Sequence, residues 1–141
     1  VQRKHLVLDA NILLRGVFGR RVRHLLETYE DAVTYYTPDT CVDDATKYIP
    51  ALAEKRALDP APQLLVLAGL LRLVDVIDIN FYNEYEQTAR ARIASRDSAD
   101  WPIVAVALLL DCPVWTEDQD FFGSGIATWT SSTIDLYLRE R

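Results

Sequence analysis

Strand-like apolar runs alternate with helix-periodic stretches along the whole 141-residue chain, and that alternation limits the folds open to it. Residues 5–8 (HLVL), 33–37 (VTYYT), 74–79 (VDVIDI), 113–116 (PVWT) and 126–130 (IATWT) read as strands, being short, apolar and rich in β-branched or aromatic side chains. Between them Val22, Leu25, Leu26 and Tyr29 fall at helical spacing, as do Val42, Ala45, Ile49 and Leu52 within 39–58. Residues 63–73 are apolar almost all round, which fits either a buried helix or one whose outer face meets a partner. Phe81, Tyr85, Ala89 and Ile93 mark another helical face. Ser98 or Asp100 can cap the helix whose buried body is 103–110, with Pro102 tolerated in its first turn. Residues 119–125 read as a loop and 133–139 as a closing helix. Strands and helices in this order need crossover connections, so the expectation is one α/β domain, residues 1–141, around a mainly parallel sheet.

Composition narrows the function classes. Half the residues are apolar, and three Trp, seven Tyr and four Phe exclude intrinsic disorder. No apolar run approaches the roughly 18 residues of a transmembrane helix, so no membrane association is expected. No signal peptide is visible, and Cys41 and Cys112 are too few for a disulfide framework and lack zinc-site spacing. Free thiols in a reducing compartment, and hence a cytoplasmic protein, are the expectation. Twenty-one acidic residues against fifteen Lys and Arg give a net charge of −6. That balance argues against non-specific coating of nucleic acid, which needs basic residues to neutralise phosphates. It leaves room for an enzyme whose carboxylates hold cations that in turn meet phosphate.

Ligand sites in open α/β sheets lie beyond the carboxyl ends of the strands. Asp9 ends the first strand, Asp39, Asp43 and Asp44 open the helix after the second, and Asp118 and Asp120 follow the strand 113–116. Asp100 begins the helix that runs back into that strand, which puts it on the same edge. Each acid alone has a plain reading: Asp9, Asp118 and Asp120 as turn residues, Asn11 or Asp100 as a helix cap, Asp43 and Asp44 as partners of a helix dipole. The case rests on all of them falling on one edge. No Lys or Arg sits beside Asp9, Asp100 or Asp118 in sequence, so a hard divalent cation is the natural neutraliser. Such a site suits phosphodiester hydrolysis. Helical periodicity does not decide between Asp43 and Asp44.

The stretches LVLDAN, TPDTCVDDATKYI, RDSADWPIVAVALLL and PVWTEDQDFF resemble the PIN-domain family, and within it the VapC-like toxins of bacterial toxin–antitoxin pairs. The likeness runs over residues 6–129. It implies a Rossmann-like α/β/α sandwich with a mainly parallel central sheet, and Mg²⁺- or Mn²⁺-dependent endoribonuclease activity. Residue by residue, it implies Asp9, Asp44, Asp100 and Asp118 as catalytic metal ligands, with Asp120 counted among the ligands. Asn11 and Thr116 match positions that orient carboxylates or the attacking water, and Asp43 stands beside the second acid. That second acid is usually Glu in the family; Asp44 is shorter by one methylene. The resemblance further implies an RNA substrate, a protein antitoxin and a homodimer. Arg15, Arg20, Arg21 and Arg23 form the densest basic run, and the first three are expected to meet RNA phosphate. Trp101 and Trp115 can stack on bases or pack in the core.

Other classes fit less well. A PIN nuclease of RNA maturation differs only in biological role, and a non-catalytic binding module would have lost some of the matched acids. A phospho-acceptor receiver domain wants a Lys near its last strand, and no Lys follows Lys55. A Ser or Cys nucleophile lacks a base, since His5 and His24 are the only histidines.

Overall fold

Every strand-like run contributes to one sheet. The computed structural model describes residues 3–93, 98–118, 121 and 123–139. Its strands are β1 (Lys4–Leu8), β2 (Val33–Pro38), β3 (Val74–Ile77), β4 (Val114–Trp115) and β5 (Thr128–Trp129), in spatial order β3-β2-β1-β4-β5. All four pairings are parallel. Leu6, Val7 and Leu8 of β1 are fully buried, as a central strand covered on both faces requires.

The helices are α1 (Ala10–Phe18), α2 (Arg21–Thr28), α3 (Asp39–Lys55), α4 (Pro60–Leu70), α5 (Ile79–Tyr82), α6 (Glu86–Arg92), α7 (Trp101–Leu110) and α8 (Ile134–Arg139). Helices α1, α3 and α4 pack on one another, while α7 packs against β1, β2, α5 and α6. Helix α7 is the most deeply set, with Trp101 through Ala107 all buried. The architecture is a parallel five-stranded sheet flanked by helices. Among the described residues no helix is long and apolar enough to cross a membrane.

The structure departs from the sequence expectation in four places. Residues 10–18 form α1, a helix that the apolar spacing does not mark and that only the reading of Asn11 as a cap anticipates. Ile12, Leu13, Gly16 and Val17 give it a buried face, and Gly16 lets α4 approach so closely that an added Cβ would lie 2.8 Å from Leu70 Cδ1. Asp9, not Asn11, caps this helix. The face drawn through Phe81, Tyr85, Ala89 and Ile93 is broken by a 3₁₀ turn at Asn83–Tyr85, whose tighter winding shifts the phase. Tyr82 is consequently the buried aromatic and Phe81 is 68% exposed. Strand β3 sits at the sheet edge, so Val76 is exposed despite its alternating pattern. Helix α4 buries Leu67 and Leu70 but leaves Leu65 74% exposed, so of the two readings of its all-round apolar sequence the fully buried helix is excluded.

Candidate active site

Strand order reverses at β1: the chain moves outward to β2 and β3 on one side, then returns to β4 and β5 on the other. Crevices at such switch points are where parallel α/β sheets bind ligands. Register places Leu8 beside Trp115, so Asp9 and Thr116 leave the sheet side by side.

Asp9 is extended (φ −88°, ψ 174°) and its Oδ1 accepts the Ile12 backbone N–H at 2.9 Å, starting α1. Its Oδ2 accepts a short hydrogen bond from the Thr116 hydroxyl. Thr116 Oγ1 in turn accepts the Asp118 backbone N–H at 2.9 Å. One buried hydroxyl therefore ties the end of β1 to the turn after β4. Burial pushes the Asp9 carboxyl up to about 6; the bonds from Thr116 and Ile12 oppose the rise, and the nearby charges of Asp118 and Glu117 add to it.

A cavity of about 300 Å³ opens here, lined by Asp9, Ala10, Asn11, Cys41, Asp44, Asp100, Ile103, Glu117 and Asp118. Of the acids singled out from sequence, Asp9, Asp44, Asp100 and Asp118 line it, and so does Asn11. Asp43, one step round α3, is exposed and does not line it. Asp39 does not either: its Oδ2 accepts the Ile79 N–H at 3.0 Å and its Oδ1 the Tyr82 hydroxyl at 2.5 Å, so it anchors α5 to α3. Asp120 lies outside the described residues. Asp100 holds the N-cap position of α7 without accepting a capping bond.

Glu117 was missed by sequence reasoning. It also lines the cavity, and its carboxylate accepts the Ser131 N–H. Its only signal was its place between Thr116 and Asp118 in the turn after β4. Ser131 is a junction: its hydroxyl accepts from Trp115 Nε1 at 3.1 Å, and its carbonyl accepts from Arg21 Nη2 at 3.0 Å. Trp115 and Trp101 are both core residues. Arg15, Arg20 and Arg21 line a separate groove of about 510 Å³, which shares Asn11 with the acidic cavity.

The donor set suits a hard cation. Its charged ligands are carboxylates, and burial pushes the Cys41 thiol far above its ordinary range, so no thiolate is offered to a soft metal. Among the described residues no group of three or more His, Cys, Asp or Glu is gathered closely enough to hold an ion as it stands. Carboxylates spread in this way suit a hard cation that keeps much of its water rather than an all-protein cage.

A parallel α/β protein with a carboxylate-lined cavity at its switch point is what the geometry defines. The chain belongs to the PIN domain family, whose model matches residues 7–139. PIN domains are generally nucleases. Among solved structures it is similar to PAE2754 from Pyrobaculum aerophilum, at 17% identity over 96% of this chain and 89% of that one, with a TM-score of 0.72. It is also similar to VapBC2 from Rickettsia felis bound to a DNA fragment from their promoter (12% identity, 89% and 98% covered, TM-score 0.69). A third likeness is to FitAcB from Neisseria gonorrhoeae (22% identity, 90% and 98% covered, TM-score 0.63). At these identities the likenesses establish the fold. No curated protein sequence matches the chain.

Proposed function

We propose that this protein is a metal-dependent endoribonuclease that hydrolyses RNA phosphodiester bonds as the toxin of a type II toxin–antitoxin pair. Residues 1–141 act in it as one PIN-like unit. The observation that carries the reading is the convergence of Asp9, Asp44, Asp100, Glu117 and Asp118 on one cavity at the switch point. The VapC-like resemblance of the sequence, with similarity to a toxin-antitoxin complex from Klebsiella pneumoniae (19% identity, 89% and 97% covered, TM-score 0.65), supports the toxin role and a protein antitoxin as partner. A homodimer working in the cytoplasm completes the reading.

Asp9, Asp44, Asp100 and Asp118, with Asp120 as a further ligand, would hold Mg²⁺ or Mn²⁺, one or two of them directly and the rest through its waters. When bound, the ion supplies a polarised phosphoryl oxygen and a more acidic water for in-line attack. Thr116 positions Asp9, and Asn11 orients groups at the cavity mouth. Asp43 supports the site only through its charge, because it points elsewhere on α3. Arg15, Arg20 and Arg21 meet substrate phosphate. Without a cation the carboxylate wall repels a phosphodiester, so cation and substrate bind as a set.

Cleavage of a defined RNA pool, followed with Mn²⁺, with Mg²⁺ and with EDTA, tests this. Asp44→Asn is expected to lose more than about 100-fold in rate, while Asp43→Asn stays within a few-fold of the parent. Equal loss in both variants, or cutting that persists in EDTA, overturns the assignment.

A further inference from the structure

The parallel pairing of β4 with β5 sets Trp115 against Trp129. Glu117 and Ser131 each stand two residues further on, so they leave the sheet as neighbours. The Glu117 carboxylate accepts the Ser131 backbone N–H. The rest of Ser131 is engaged as well. Its hydroxyl accepts from Trp115 Nε1 at 3.1 Å, and its carbonyl accepts from Arg21 Nε and Nη2 at 3.3 and 3.0 Å. Arg21 is the first residue of α2 and lies 110 positions away in sequence. One buried serine therefore joins α2, the fully buried indole of β4 and an acid of the cavity. A guanidinium fork with two donors on one carbonyl fixes direction as well as distance. Held at its C=O, its hydroxyl and its N–H, Ser131 has one orientation, and the carboxylate bonded to it shares that constraint.

Glu117 lines the same cavity as Asp9, Asp44, Asp100 and Asp118, and its charge reaches Asp9. A glutamate is long and loses rotamer freedom when it is fixed. One already fixed by its neighbours loses little more on meeting a cation. We propose that Glu117 is a further acid of the cation site, and that Ser131 and Arg21 are positioning residues that hold its carboxylate in place. This rests on the metal-dependent reading and deepens it, and it gives Arg21 a role beside phosphate contact. The role has a distinctive sign. Arg21 is a cation, so by charge alone its removal would strengthen the binding of a metal ion to the acidic cavity. As the anchor of Ser131 and, through it, of Glu117, its removal weakens that binding instead.

The experiment is calorimetric titration of Mn²⁺ into the protein with no RNA present. It compares the parent with Glu117→Gln, Arg21→Ala, the double variant carrying both, and Arg23→Ala. Glu117→Gln and Arg21→Ala are each expected to weaken Mn²⁺ binding by about five- to tenfold. The double variant is expected to lose no more than Glu117→Gln alone, because Arg21 acts through that carboxylate. Arg23→Ala removes the same charge from the same helix, but its side chain bonds Gly19 and not Ser131, so no weakening is expected. Thermal melts in EDTA establish that the variants are folded. Should Arg21→Ala not fold, Arg21→Lys carries the same test, since it keeps the charge and loses the fork. Parent-like or tighter Mn²⁺ binding in the Arg21 variant, or losses that add in the double variant, overturns the positioning role and leaves the cation site standing. A parent that binds no Mn²⁺ removes the cation site itself, and this role with it.

Discussion

At the scale of single residues, the most consequential group is Asp9, a carboxylate buried at the end of a central strand. Burial raises its pKa from 3.8 to about 6, so the native state keeps its proton over a range where the unfolded chain has lost it. The stability this group contributes is fully present below about 3.8 and is lost as pH rises towards 6. A rise of that size corresponds to a cost of about 3 kcal/mol at neutral pH without metal. Asp9→Asn is therefore expected to raise the urea midpoint near neutral pH in EDTA, and to leave it nearly unchanged at about pH 3. An unchanged midpoint at both would mean that Asp9 is not held at such a cost. The identity of Asp9 as a candidate was legible in LVLDAN, because a carboxylate directly after a buried strand is conspicuous in sequence. Its hydrogen bond to Thr116 was not, since those residues are 107 apart and meet only through the pairing of β1 with β4.

At the scale of elements, the helix start at Asp39 shows how an acid on the right edge can serve structure instead of chemistry. Its carboxylate takes the Ile79 N–H and the Tyr82 hydroxyl, holding α5 against the amino end of α3. Asp39→Ala is expected to lower stability by about 1–3 kcal/mol, because both donors lose their acceptor. Cleavage per folded molecule should stay close to the parent's; a loss beyond about tenfold would place Asp39 in the site. Strong apolar periodicity made most elements legible, α7 above all. Helix α1 escaped because its nine residues are short and follow a strand without a break, so its apolar pattern merges with that of β1. The turn that breaks α5 from α6 escaped for another reason. A 3₁₀ turn uses the same residue types as an α-helix and differs only in winding.

At the scale of the whole molecule, the carboxylate cavity and the negative net charge make divalent cations natural stabilisers of the native state. Mn²⁺ at about 100 times its dissociation constant is expected to add roughly 3 kcal/mol and to raise Tm by roughly 5–10 °C. Asp9→Asn should abolish most of that rise, and a parent protein indifferent to Mn²⁺ would remove the metal site. The succession of strands, their parallel pairing and the edge on which the acids fall were readable along the chain, because periodicity and connection handedness are local rules that constrain every βαβ unit alike. Which acids share a cavity was a different matter. Asp43 and Asp44 are neighbours with the same chemistry, and only the way α3 packs against α1 and the sheet turns one towards the cavity and the other away. Glu117 likewise owes its place to packing between segments distant in sequence. Local pattern carries no information about angles between elements, and those angles decide which side chains face one another.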